Sequence, residues 1–253
     1  MKLVYDERFR GSTYAQDNAA IPGRMEAALS GLGDRAWERI APVAATVEQL
    51  HLAHDPGYVQ TVVEDPERFA MASLAAGGAI LAGRLARSGD PAFACVRPPG
   101  HHASRTGAWG HCTFSNLALA LLVLRAERRI ESAFVIDFDA HTGDGTRDVL
   151  AGWPQAEIFN PFAATAEEYL ELVETRLGAT GPTDIFAVSA GFDAYKLDVG
   201  HKLDTPDFGR LGTLIREASV RLSRGRRFAV LEGGYYLKDL GANVLAFCQG
   251  FAG

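Results

Sequence analysis

Asp139, His141 and Asp193 combine two carboxylates with one imidazole, a donor set suited to one divalent ion. Asp139 and His141 lie two positions apart in "FVIDFDAHTGDGT", residues 134–146. In an extended segment such side chains point the same way, so the pair can chelate. Asp193, in "SAGFDAY", comes from a separate run and would complete three protein ligands. That leaves an open position for water, as a catalytic zinc requires. Around these stand His101 and His102 in "RPPGHHA", Asp137 and Asp144 in the 134–146 stretch, and Tyr235 in "LEGGYY". Adjacent histidines suit proton transfer when an orienting group fixes each tautomer, and Asp137 and Asp144 can serve. A phenol beside them is a hydrogen-bond donor for a developing oxyanion. The inventory is that of a hydrolytic metal site. The cost of unpaired buried charge demands such a partnership, because Asp137, Asp139, His141 and Asp144 follow directly on the apolar Phe134, Val135 and Ile136.

Four short apolar runs must carry these groups: "AFACV" at 92–96, "AFVI" at 133–136, "IFAV" at 185–188 and "FAVL" at 228–231. Runs of this kind between helices read as central strands of a parallel sheet covered on both faces. Each leads at once into a loop bearing Gly or Pro together with ionisable or phenolic side chains. In an open parallel sheet, ligands bind outside the carboxyl ends of the strands, so the four loops can converge on one crevice. Patterning and caps predict helices over 22–33, 54–64, 66–89, 115–129, 165–178 and 205–225. Asp55 with Pro56 opens the second, and a Thr165–Glu168 capping box opens the fifth. The alternation is α/β, a single domain over 1–253 with a mostly parallel central sheet flanked by helices.

The chain has 253 residues, 47% hydrophobic and 22% charged, ordinary values for one sizeable globular domain. A net charge of −6 argues against a nucleic-acid partner, which would want a basic face. No continuous apolar run reaches the roughly 18 residues that span a bilayer. "MKLVYDERFRG" is too charged for a secretion signal. Cys95, Cys112 and Cys248 are few and unpatterned, so a disulfide framework is not expected and a reducing, cytoplasmic setting is.

The motifs "RPPGHHA", "DFDAHTGDGT", "SAGFDAY" and "LEGGYY", in this order, resemble the histone deacetylase superfamily of zinc-dependent amidohydrolases. The resemblance runs from "IPGRMEAAL" to "GANVLAF", nearly the whole chain. It implies the arginase/deacetylase-like fold, one zinc per chain on Asp139, His141 and Asp193, and tandem catalytic histidines His101 and His102 paired with Asp137 and Asp144. It implies Tyr235 as the oxyanion donor, Arg24 near an internal product channel, and a pocket lined by Gly110, His111, Phe192, Gly233 and Gly234. Some members also hold potassium through oxygens matching Asp137 to His141. The expected activity is hydrolysis of an acetyl-lysine or an acetylated small amine, in a chain free to form a homo-oligomer.

The sequence departs from the family in four places. Thr142 follows His141 where a second histidine is usual, His111 replaces an aromatic residue, and Tyr236 replaces an asparagine. The two loops that build the substrate tunnel, before Ala75 and after Thr146, are much shortened. A shallower, more open site with His111 on its wall is the expectation, unless Phe162, Tyr236 or a neighbouring subunit fills the gap. His51 and His54 read as surface or cap histidines, His201 as a loop residue without a role, and Asp198 and Asp204 as loop caps. Cys112 is given no chemistry. Gly233 and Gly234 would let the backbone turn so that Tyr235 faces the site. Two other readings are an arginase-like dimanganese ureohydrolase and a zinc-containing module that binds acylated ligands without turnover.

Overall fold

A computed structural model describes residues 1–33 and 37–253. The four expected strands form the middle of one sheet. In chain order the strands are β1 (Lys2–Val4), β2 (Arg39–Ile40), β3 (Ala92–Ala94), β4 (Ala133–Asp137), β5 (Ala156–Phe159), β6 (Phe186–Ala190) and β7 (Arg227–Leu231). Their order across the sheet is β2-β1-β3-β7-β6-β4-β5, with every neighbouring pair parallel. All residues of β3, β4, β6 and β7 are buried, which is why they read as unbroken apolar runs. Asp137 pairs with Ser189, and Ala190 with Leu231. The register thus sets the carboxyl ends of β4, β6 and β7 level, and the loops that follow them open at one height.

The helices are α1 (Arg24–Ser30), α2 (Val47–Leu50), α3 (Pro56–Val63), α4 (Pro66–Arg87), α5 (Asn116–Ala126), α6 (Asp144–Leu150), α7 (Ala166–Ala179), α8 (Thr205–Ser223) and α9 (Leu237–Ala252). The predicted starts hold at atomic level. Asp55 accepts the Gly57 N–H at 2.9 Å, and Thr165 and Glu168 close a capping box. By length and composition α4 is apolar enough to cross a membrane, although charged residues interrupt it before any continuous apolar run reaches 18, and 67% of its apolar window is buried inside the chain's own core. Its small residues pack against β7 and α5.

Two aromatic residues seat the loops that carry the expected metal ligands. Phe138 lies between Asp137 and Asp139, and Phe192 precedes Asp193. Both rings are buried, 5.8 Å apart by centroid, and both pack on Phe247 and Phe208. Alternation along an extended segment then turns the flanking carboxylates the other way, toward the site. Phe192, expected on the pocket wall, is therefore an anchor of the core.

His54 is also not a surface residue: it is 1% exposed. Its Nδ1 donates to Ser104 O at 2.8 Å and its Nε2 accepts the Ser115 N–H at 2.9 Å, so the ring staples both ends of the 104–115 loop. A second proton would set a donor against the Ser115 donor. Burial accordingly pushes its pKa down to about 4, against about 6.5 in the unfolded chain. Because the folded value is the lower one, the unfolded state binds more protons between the two. Stability from His54 is complete above pH 6.5 and is lost as pH falls toward 4, by about 3 kcal/mol. Melting temperatures followed by circular dichroism should drop through this window, with a flatter slope in His54→Gln. Equal slopes would remove His54 as the titrating group.

Candidate active site

The β4 loop and the β3 loop meet as two histidine–aspartate pairs. His101 Nδ1 lies 3.1 Å from Asp137 Oδ2, and His102 Nδ1 lies 2.6 Å from Asp144 Oδ1. The two imidazoles face each other at 4.0 Å between centroids. Each carboxylate holds an Nδ1–H and so leaves Nε2 as the nitrogen that can exchange a proton. Burial alone would lower the pKa of His101, but Asp139 and Asp137 raise it well above the ordinary value. Burial and the neighbouring His101 charge lower that of His102. The two imidazoles thus shift in opposite directions.

One ring away lie the three expected ligands. Potential ligand atoms of Asp139, His141 and Asp193 all fall within 4.8 Å of one another. The His141 Nδ1 is 3.1 Å from both Asp139 Oδ1 and Asp193 Oδ2. The loop shapes itself around them. Gly233 N–H donates to Asp139 Oδ2 at 2.9 Å, and Ala140 N–H to Asp193 Oδ1 at 3.0 Å. Asp193 Oδ2 is buried and receives no hydrogen bond. Burial and the adjacent Asp139 charge push the Asp193 carboxyl up to about 7, the mark of two carboxylates crowded together. The hydrogen bond to Asp139 and the close approach of the Asp193 carboxylate push His141 up to about 10. A buried oxygen without a donor, two crowded carboxylates and an imidazole fit a divalent cation. A Cβ on Gly233 would stand 2.6 Å from Asp139 Oδ2 and 2.7 Å from Asp193 Cγ, so only glycine lets the β7 loop close over these ligands.

Tyr235 is brought in by that same loop, which is held from two sides. Asp198 Oδ2 accepts the Tyr235 and Tyr236 N–H groups at 2.6 and 2.8 Å, so Asp198 is the loop cap expected. On the other side the buried Arg24 donates to the carbonyls of Gly234 and Glu232, and its guanidinium lies 5.4 Å from the Tyr235 ring centroid. Burial pushes the phenol's pKa far up, so the hydroxyl keeps its proton and stays a donor.

Two groups were not legible beforehand. Trp109 is 55% exposed, stacks on His102 at 3.7 Å between centroids, and donates its indole N–H to Asp144 Oδ2 at 2.9 Å. It bridges both members of the second pair. Glu232, fully buried, accepts the N–H groups of Gly100 and His101 at 2.7 and 3.1 Å, tying the β7 loop to the tandem histidines. Burial raises its carboxyl to about 7. Its sequence signal was the Glu of "LEGGYY", but its partners stand over a hundred positions away. Cys112 Sγ sits 3.4 Å from His102 N as a buried packing thiol.

Two clefts flank the ligand group and the tandem histidines. His111, at φ +71°, faces Asp17 at 3.6 Å and Tyr235 at 5.7 Å between centroids, and it lines a cleft of about 360 Å³ with Gly110, Trp109 and Tyr14. On the opposite side a cleft of about 240 Å³ runs from Asp139 and His141 to Phe162, Val199 and Lys202. Phe162 is 87% exposed, and Tyr236 packs on Tyr195, so neither closes the gap. His201 stays on the surface against Lys196 O.

A histone deacetylase domain model matches residues 65–169. A histone deacetylase-like amidohydrolase of Pseudomonas aeruginosa is 30% identical over 260 residues, covering 82% of this chain and 68% of that protein. A polyamine deacetylase of Mus musculus is 28% identical over 323 residues, covering 99% of this chain, which spans about half of its length, 48%. An alignment of 323 positions against 253 residues means that the mouse protein carries segments this chain lacks. A crystal structure of the HDA15 HD domain superposes with a TM-score of 0.81 at 21% identity, covering 98% of this chain and 88% of that one, and shares its fold. By four motifs in order, one shared fold and these relatives, the chain belongs to the histone deacetylase superfamily.

Proposed function

We propose that this chain is a zinc-dependent hydrolase of N-acyl amides, a deacetylase of an acetyl-lysine or an acetylated small amine. The observation that carries the reading is the pair of oriented His–Asp dyads set beside an O,N,O ligand group, with a protonated phenol on the adjoining loop. Asp139, His141 and Asp193 would hold the ion. Bound there, zinc would supply Lewis acidity to the acyl carbonyl and acidify a water molecule. His102, with Nδ1 fixed by Asp144, takes a proton at Nε2 and returns one to the leaving amine. His101, hydrogen-bonded to Asp137, supplies electrostatic support beside it. Tyr235 donates its hydroxyl to the oxyanion as the tetrahedral intermediate forms. Retained dyads favour turnover over a binding-only module, since binding has no use for a proton relay. Relatives named as deacetylases, polyamine deacetylase and acetylpolyamine amidohydrolase support the reaction class. Potassium under the β4 loop has weaker support, because the Asp137 carbonyl already accepts the Asn160 amide at 3.4 Å and Arg147 fixes that amide's orientation.

The test is a fluorogenic acetyl-lysine or acetylated-amine assay on the zinc-loaded chain, with metal analysis. Hydrolysis abolished by chelator and restored by zinc, at one zinc per chain, is expected. About two manganese ions per chain would instead favour the ureohydrolase reading.

A further inference from the structure

The cleft beside His141 has a charge that the metal ligands do not account for. Its wall carries Asp139 and His141 at one end and Pro161, Phe162, Tyr169, Val199 and Lys202 at the other. With a divalent ion bound, the charges of Asp139 and Asp193 are cancelled and His141 is a neutral ligand. Burial holds the Tyr169 phenol in its neutral form. That leaves the Lys202 ammonium as the net charge of the cleft. It is seated: Nζ donates to Ala163 O and lies 5.1 Å from the Phe162 ring centroid and 5.6 Å from that of Tyr169. Among the described residues it makes no ion pair within 4.0 Å, whereas the neighbouring Lys196 is paired with Asp204.

The carboxylates that could recognise a cation at this mouth are already engaged. Asp198 spends one oxygen on the N–H groups of Tyr235 and Tyr236 and the other on Val199 N–H. Asp144 is held by His102 and Trp109. Asp17 lies in the other cleft, against His111. A polycationic amine would therefore meet an unpaired ammonium here, and like charges in a partly desolvated cleft repel.

We propose that Lys202 is a specificity-determining residue and that the leaving amine of the substrate carries a carboxylate, as in an N-acylated amino acid, so that acetylated polyamines are disfavoured. The carboxylate pairs with the Lys202 ammonium while the apolar stem lies against Phe162 and Val199. This rests on the amide-hydrolase reading above and names the substrate class for the same site.

Two measurements on the zinc-loaded full chain separate the ideas. The first is calorimetric binding of three alkyl hydroxamates of equal length whose tails end in carboxylate, ammonium or methyl. The carboxylate tail should bind about tenfold more tightly than the ammonium tail, the size of one half-buried ion pair. Lys202→Met should erase the difference and Lys202→Glu reverse it. The second is kcat/KM for N-acetyl-6-aminohexanoate, mono-N-acetylcadaverine and N-acetylhexylamine, expected to follow the same ranking. An ammonium tail that binds as well as the carboxylate tail, or a ranking that Lys202→Glu leaves in place, overturns the assignment. The expected binding ranking without hydrolysis of any substrate overturns the deacetylase reading alone and upholds the role of Lys202.

Discussion

Asp193→Ala is expected to lose zinc and, with it, activity. Two protein ligands would remain, Asp139 and His141, and two rarely hold a catalytic zinc. Zinc per chain measured by plasma emission should fall by roughly tenfold or more after dialysis. The substitution also removes the acceptor of the Ala140 N–H, so loop distortion has to be separated from ligand loss. Asp193→Asn does this, because its side-chain oxygen can keep the Ala140 bond while the ligand's charge is gone. A second readout needs no turnover. Zinc bound only to the folded state raises the melting temperature by mass action, and that rise should vanish in Asp193→Ala. The metal-free melting temperature should hold or increase, since the change relieves the crowding of Asp193 against Asp139. Full zinc occupancy in Asp193→Ala would show that the third ligand lies elsewhere.

The parts of this site that could be read beforehand share a property. "AFVI" before "DFDAHTGDG" and "FAVL" before "EGGYY" are local signals, a buried strand followed by polar loop residues, and the parallel sheet carries them to one edge. What escaped depends on contacts between distant segments or on very short elements. β1 and β2 are three and two residues long, too short for any period to register. α9 is hard to read in the sequence because Gly241 and Gly250 dilute its pattern. Gly241 is there for packing: a Cβ on it would stand 2.5 Å from Ala27 O and 2.9 Å from Gly31 N, so α9 touches the backbone at the end of α1. His54 gives no local sign that its ring reaches Ser104 and Ser115. Glu232 reads as one more loop acid until the fold sets it under Gly100 and His101. Trp109 carries no sign in one dimension, and only the fold stacks it on His102. Phe192 erred the other way. Its place beside Asp193 suggested the pocket, whereas alternation sends its ring into the core.

Tyr235→Phe is the second large effect and the complement of the first, because it should leave the metal in place. The phenol lies on the β7 loop while the ligands lie on the β4 and β6 loops, so deleting one oxygen removes no donor to the ion. The backbone hydrogen bonds to Asp198 and the Arg24 guanidinium over the ring do not involve the hydroxyl, so the phenyl ring should keep its position. What is lost is a donor aimed at the charge that develops on the acyl oxygen, typically worth about 10²–10³ in turnover, or about 3–4 kcal/mol. The loss should fall mainly on kcat with KM little changed, because the oxyanion exists in the transition state and not in the bound substrate. Zinc content and the zinc-dependent rise in melting temperature should match those of the unaltered chain. Turnover within a factor of about two of the unaltered chain would remove the assigned role, since a lost oxyanion donor costs far more than that. A fall in zinc content would mean that the hydroxyl supports the ion as well as the oxyanion.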